Sequence, residues 1–150
     1  SDVYKRQPYL RPLYDAIYDV AESYEVDRWV EQDVIEIAPL AYMRGRTLNN
    51  ARIILDEAQN TTCEQMFMFL TRMGQGSQCS ITGDPTQSDL KRGQKPGLIE
   101  AMEALTNVEG VHFSQLQGKD VVRHPLVQRV VSAYDAHEQE AASTRREDPP

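Results

Sequence analysis

Residues 51–58 read ARIILDEA, a short apolar run, β-branched at its centre, that stops at two adjacent carboxylates. An apolar run of that length without polar alternation suits a fully buried strand, as in a parallel sheet. About 26 residues further on, SQCSITGD repeats the arrangement, with an apolar segment running into Gly83-Asp84. The sequence between them predicts a helix. Thr61 or Thr62 would cap it, Glu64 and Gln65 fall in its first turn, MFMFLTRM forms its body, and Gly74 and Gly76 end it. Strand, helix and strand in this order predict an α/β fold, a parallel sheet with flanking helices. Ligands of such sheets bind beyond the carboxyl ends of the strands, so Asp56-Glu57 and Gly83-Asp84 are expected at one edge.

The rest of the chain extends the alternation. Pro8 and Pro12 suit the first turn of a helix carrying Leu10, Leu13, Ile17, Val20 and Ala21 at three- and four-residue steps. DVIEIAP, Asp33 to Pro39, alternates apolar and polar and predicts a short strand stopped by proline. GLIEAMEAL reads as a helix, GVHFSQL as a strand and HPLVQRVVSAYDAHE as an amphipathic helix. The polar end QEAASTRREDPP is expected to fray, which sets the domain at residues 8–136 and a disordered tail at 137–150. The first seven residues, SDVYKRQ, are what TCA GAT GTG TAT AAG AGA CAG encodes, and this resembles the end of a transposon adaptor used in sequencing-library preparation. Residues 1–7 are therefore set aside from fold reasoning as an artefact, with the open reading frame expected to begin upstream.

A chain of 150 residues is one ordinary domain, able to bury roughly 70% of its unfolded surface. Apolar content of 40% with 26% charged residues fits a soluble globular protein. The longest apolar runs, IIL and MFMFL, fall far short of the ~20 residues that span a bilayer. There is no apolar core of a secretory signal behind the N-terminal charges. Cys63 and Cys79 are too few for a disulfide framework and lack metal-ligand spacing, which points to a reducing, cytoplasmic setting. A net charge of −7 argues against nucleic-acid binding through the whole surface but permits a local basic groove. Two sets could form one: Lys91, Arg92 and Lys95, and Arg44, Arg46 and Arg52.

The chemistry lies at the strand ends. Asp56 can hold Mg²⁺ through a water, while Glu57 polarises the water that attacks a terminal phosphate. The plainer alternative is a strand that ends in acids because it has reached solvent. TGDPTQ, Thr82 to Gln87, would bring an amide to the same edge, where it can contact a γ-phosphate. Alone it would read as a proline turn with an exposed Gln; paired with ILDEAQ at this spacing, the functional reading is stronger. In DVVRHP, Arg123 stands just ahead of a helix begun by Pro125, from where a guanidinium could reach phosphate charge in the same or a neighbouring subunit. His124 reads as structural, and His112 and His137 show no partner spacing. A complete site also needs a Gly-x4-Gly-Lys-Ser/Thr loop to cradle phosphates. The only Gly-Lys pair, Gly118-Lys119, is followed by Asp120 and has Phe113 five residues before it, so the loop is absent from this sequence.

With these motifs located, the segment from IEIAPLAYMRGRTLNNARIILDEAQN through SITGDPTQSDLKRGQKPGL, together with DVVRHPLVQRVVSAY, closely resembles the PhoH-like ATPase family, over roughly Pro8 to Tyr134. That resemblance implies a RecA-like P-loop NTPase core akin to superfamily 1 helicases, binding ATP and Mg²⁺ in the cytoplasm. It further implies assembly into homo-oligomeric rings, roles in RNA metabolism or phosphate starvation, and in some cases an endoribonuclease partner. Carried over by position, Asp56 is the Mg²⁺-linked acid and Glu57 the water-activating base. Gln87 is the γ-phosphate sensor, its turn shaped by Thr82, Gly83 and Asp84. Arg123 is the arginine sensor or finger, and Arg44, Arg46, Lys91 and Arg92 are candidates for phosphate or RNA. Cys63 stands at a helix start where many relatives are expected to carry proline. The family's phosphate loop lies upstream of the segment matching Pro8. The resemblance therefore implies the C-terminal portion of an ATPase, inactive alone. Two other function classes fit the same motifs: a non-catalytic nucleotide- or RNA-binding module, and a ring-assembly subunit.

Overall fold

The computed structural model describes residues 10–91 and 93–144. The reading of residues 1–7 lies outside the described residues, as does Arg92. The chain divides into two compact units between Val111 and His112.

The first unit opens with a helical hairpin, α1 (Arg11–Val20) and α2 (Ser23–Glu31). α1 has proline in its first turn, as its sequence predicts. The hairpin closes over buried Leu10, Tyr14 and Val26, and the Tyr18 hydroxyl donates to Asp27 Oδ1 at 2.7 Å. α2 is not resolved as a separate helix by the apolar spacing. It ends at Glu31, and two residues on, Asp33 is left-handed, with φ 55°. There the N–H groups of Val34 and Ile35 both donate to the Trp29 carbonyl, at 2.8 and 3.2 Å. This corrects the strand expected over Asp33–Pro39. Its first N–H groups are consumed in closing the helix, and residues 36–39 pair with no strand among the described residues. A short 3₁₀ turn, Leu40–Met43, follows.

The sheet consists of β1 (Arg52–Leu55) and β2 (Gln78–Ile81), parallel, with Arg52 opposite Gln78 and Leu55 opposite Ile81. Parallel pairing is as predicted. The two chains are zipped before the strands begin: Leu48 N–H donates to the Arg72 carbonyl, Gly74 N–H to Leu48, and Asn50 N–H to Gln75, each at 2.8 Å. Ile53, Leu55, Cys79 and Ile81 are half-buried, whereas Arg52, Ile54, Gln78 and Ser80 are exposed, Ile54 by 74%. β1 is thus not the fully buried strand its apolar run suggests, because among the described residues only one face of this two-stranded sheet is covered.

Between the strands runs α3 (Cys63–Leu70). Thr62 is its cap: Thr62 Oγ1 accepts the Gln65 N–H and Gln65 Oε1 accepts the Thr62 N–H, at 3.2 and 2.9 Å, a closed capping box. Thr61 is buried instead. Its hydroxyl donates to the Ala58 carbonyl at 2.7 Å, and its own carbonyl accepts the Gly97 N–H at 2.7 Å. α3 stops short of the glycines expected to end it, because side chains take its last carbonyls. The Thr71 hydroxyl donates to Phe67 and Met68, and Arg72 Nε donates to Met68, all within 3.0 Å. Met66 and Phe69 turn inward to the core. α4 (Gly97–Leu105) packs on α3 starting from Gly97, where a Cβ would lie 2.7 Å from that of Met66.

Residues 110–116 are irregular rather than the predicted strand GVHFSQL, with no pairing partner among the described residues. α5 (Pro125–Thr144) begins at the expected proline and runs on past residue 137. The Nδ1 of the exposed His124 accepts the Leu126 N–H at 3.2 Å. Among the described residues no helix is long and apolar enough to cross a membrane.

Candidate functional site

The carboxyl ends of β1 and β2 carry the site. One register step beyond the Leu55–Ile81 pair, Thr82 meets Asp56. The Thr82 N–H donates to the Leu55 carbonyl at 2.9 Å, and its hydroxyl to Asp56 Oδ1 at 2.7 Å. The Ala58 N–H donates back to the Thr82 carbonyl at 2.9 Å, so both strand endings are clamped together before either turns away. Asp56 remains exposed.

Glu57 follows in the left-handed region, φ 53° and ψ 38°. Such a conformation costs a non-glycine residue about 1–3 kcal/mol and persists where surrounding contacts over-determine it. Here it turns the chain sharply into the 3₁₀ segment Ala58–Asn60, whose Ala58 and Gln59 are buried. Gln59 is only 3% exposed, and both ends of its amide are used. Nε2 donates to Glu57 Oε2 at 2.6 Å and Oε1 accepts the Asp84 N–H at 3.1 Å. Gly83 makes room for this: a Cβ there would sit 2.7 Å from Gln59 Oε1 and 3.1 Å from Gln59 N.

The Asp84–Leu90 loop is self-braced and docked on the same turn. Asp84 Oδ1 accepts the Thr86 N–H and hydroxyl at 2.9 and 2.7 Å, while Oδ2 accepts Gln87 Nε2 at 3.0 Å. The Thr86 hydroxyl, then its N–H, and with a lesser part the Gln87 amide hold the Asp84 carboxyl below its usual value, against the opposing effect of burial. The Ser88 hydroxyl donates to the Gln59 carbonyl at 3.1 Å, and Asn60 Oδ1 accepts the Asp89 N–H at 2.9 Å. Asp56, Glu57, Thr82, Gly83, Asp84 and Gln87 therefore lie in one hydrogen-bonded cluster. Gln59, Asn60 and Ser88, to which sequence reasoning gives no role, hold it together. The only hint of Gln59 in the sequence is an amide two residues beyond the acid pair.

The basic candidates have different surroundings. Arg46 is committed to Glu36 by two contacts of 2.7 Å, which hold the Glu36 carboxyl low and the guanidinium high. Arg44 and Lys91 are exposed. Lys95 pairs with Glu103 at 2.6 Å. Arg123 belongs to the second unit, exposed, immediately ahead of α5. Among the described residues no group of three or more His, Cys, Asp or Glu side chains is gathered to hold a metal. One or two carboxylates can suffice for Mg²⁺ where phosphates and waters supply its other ligands, and an exposed Asp56 is compatible with that donor set.

A family profile described as PhoH-like protein matches residues 2–135. A PhoH-like protein of Bacillus subtilis is 57% identical over 131 residues, 87% of this chain and 41% of its own length. A PhoH-like protein of Synechocystis is 57% identical over 134 residues, 89% of this chain and 41% of its own. Protein PhoH of Escherichia coli is 44% identical over 132 residues, covering 87% and 37%. The chain thus spans about two fifths of the length of these curated relatives.

Proposed function

The chain belongs to the PhoH-like family, and from that premise we propose that it carries the magnesium- and water-handling half of an ATPase site within a RecA-like P-loop core. The observation that carries this reading is the cluster itself, two adjacent acids at the end of β1 bonded to a Gly-Asp-x-x-Gln turn at the end of β2. In this reading Asp56 would hold Mg²⁺ through a water, and that ion would supply neutralisation of phosphate charge. Glu57 accepts the proton of the attacking water, oriented by the Gln59 amide on its Oε2. Gln87 leaves Asp84 Oδ2 for the terminal phosphate, and Thr82, Gly83 and Asp84 fix the turn that carries it. Arg123 is assigned to transition-state phosphate charge, from its own or a neighbouring subunit of a ring.

The cradle for the phosphates is assigned to a Gly-x4-Gly-Lys-Ser/Thr loop in a protein of the relatives' full length. Turnover is assigned to RNA metabolism in the cytoplasm, with exposed Arg44 and Lys91 as RNA contacts and a nuclease as a candidate partner. The test is ATP hydrolysis by the full-length protein. Glu57→Gln is expected to lower kcat on the order of 10²- to 10³-fold while leaving nucleotide binding in place. RNA that leaves turnover unchanged would remove the RNA assignment and leave the ATPase reading intact.

A further inference from the structure

Resting on that reading, we infer that Gln59 is a positioning residue locking the water-handling acid Glu57 and the sensor loop Asp84–Leu90 into a single unit. A primary amide offers a donor at one end and an acceptor at the other. Gln59 spends the donor on Glu57 Oε2 and the acceptor on the Asp84 N–H, joining segments 25 residues apart through a side chain that is 3% exposed. Burying an amide is unfavourable unless both ends are bonded, and here both are bonded to chemistry-bearing segments rather than to the surrounding core.

Its backbone and its neighbour reinforce the link. The Gln59 carbonyl takes the Ser88 hydroxyl and Asn60 Oδ1 takes the Asp89 N–H, so the far end of the loop is held as well as the Asp84 end that the Gln59 amide grips. The left-handed Glu57 and the missing Cβ of Gly83 are the local concessions that bring the segments within reach of the amide. An unbroken path follows: Glu57 carboxylate, Gln59 amide, Asp84 backbone and carboxylate, Gln87 amide. When Gln87 exchanges Asp84 for a phosphate, the shift in the loop reaches Glu57 through Gln59. Water activation is thereby tied to the presence of the terminal phosphate.

The test uses the full-length protein carrying Gln59→Leu or Gln59→Glu. Gln59→Leu is expected to lower kcat for ATP roughly 10- to 100-fold with little change in KM, as loss of an orienting partner does. Gln59→Glu keeps the length of the side chain but removes the amide donor, and is expected to lower kcat to a similar extent, whereas a role in filling space alone would leave this variant near wild type. Hydrogen exchange over residues 82–90 supplies a readout that needs no turnover. Glu57→Ala should speed exchange there when Gln59 is present and add nothing in the Gln59→Leu background. Wild-type-like kcat in Gln59→Leu, or additive exchange effects, overturns the lock. Absence of hydrolysis in the wild-type full-length protein overturns the ATPase reading instead, while the exchange cycle still decides the lock.

Discussion

At Glu57 the backbone is left-handed and the side chain carries the proposed chemistry, so strain and function meet in one residue. Comparing Glu57→Gly with Glu57→Ala separates the two, since both remove the carboxylate but only glycine adopts this φ freely. Urea denaturation should find the glycine variant the more stable, by up to about 1 kcal/mol. Gly83→Ala should act in the opposite sense. The new methyl meets Gln59 Oε1, Gln59 N and Leu98 Cδ2 at 2.7–3.1 Å, and overpacking of that kind costs about 1–3 kcal/mol. Asp56, Glu57, Gly83 and Gln87 are legible in the sequence because they stand where an apolar run breaks off, and strand ends are where parallel sheets bind ligands. Gln59, Asn60 and Ser88 are not. Their roles exist only once the 84–90 loop folds back over the turn that follows β1, a contact no local pattern encodes.

At the scale of elements, α3 and its cap follow from local chemistry, so Thr62→Ala should cost about 1 kcal/mol in thermal or urea unfolding by opening the capping box. The two expected strands that are absent, over 33–39 and 110–116, show the limit of periodicity. Alternation proposes a strand, but a strand needs a free edge to pair with, and Val34 and Ile35 have already spent their N–H groups on Trp29. Segment 33–39 is instead tied to the Arg44–Arg46 loop by the Glu36–Arg46 pair. Arg46 lowers the Glu36 carboxyl below its unfolded value, so the contribution is present at neutral pH and lost as pH falls through the folded value. Both side chains are more than a third exposed, which keeps the contribution to no more than about 1 kcal/mol. Glu36→Gln should therefore differ slightly from wild type at neutral pH and converge with it in acid or in high salt.

At the scale of the whole molecule, α/β class and parallel pairing were legible, whereas the exposure of Ile54 was not, because burial depends on what covers a sheet and not on the strand's own composition. The two acids and the Gly-Asp-x-x-Gln turn are brought together in this chain, and its sequence holds no Gly-x4-Gly-Lys-Ser/Thr loop. Alone, the 150-residue chain should turn over ATP negligibly, whereas a protein of the relatives' full length should hydrolyse it. The most direct test of the central claim is steady-state ATP hydrolysis by that full-length protein beside its Glu57→Gln variant, with nucleotide affinity measured in parallel. The account predicts a kcat lower on the order of 10²-fold or more at nearly unchanged affinity. Equal turnover by the two proteins would contradict it.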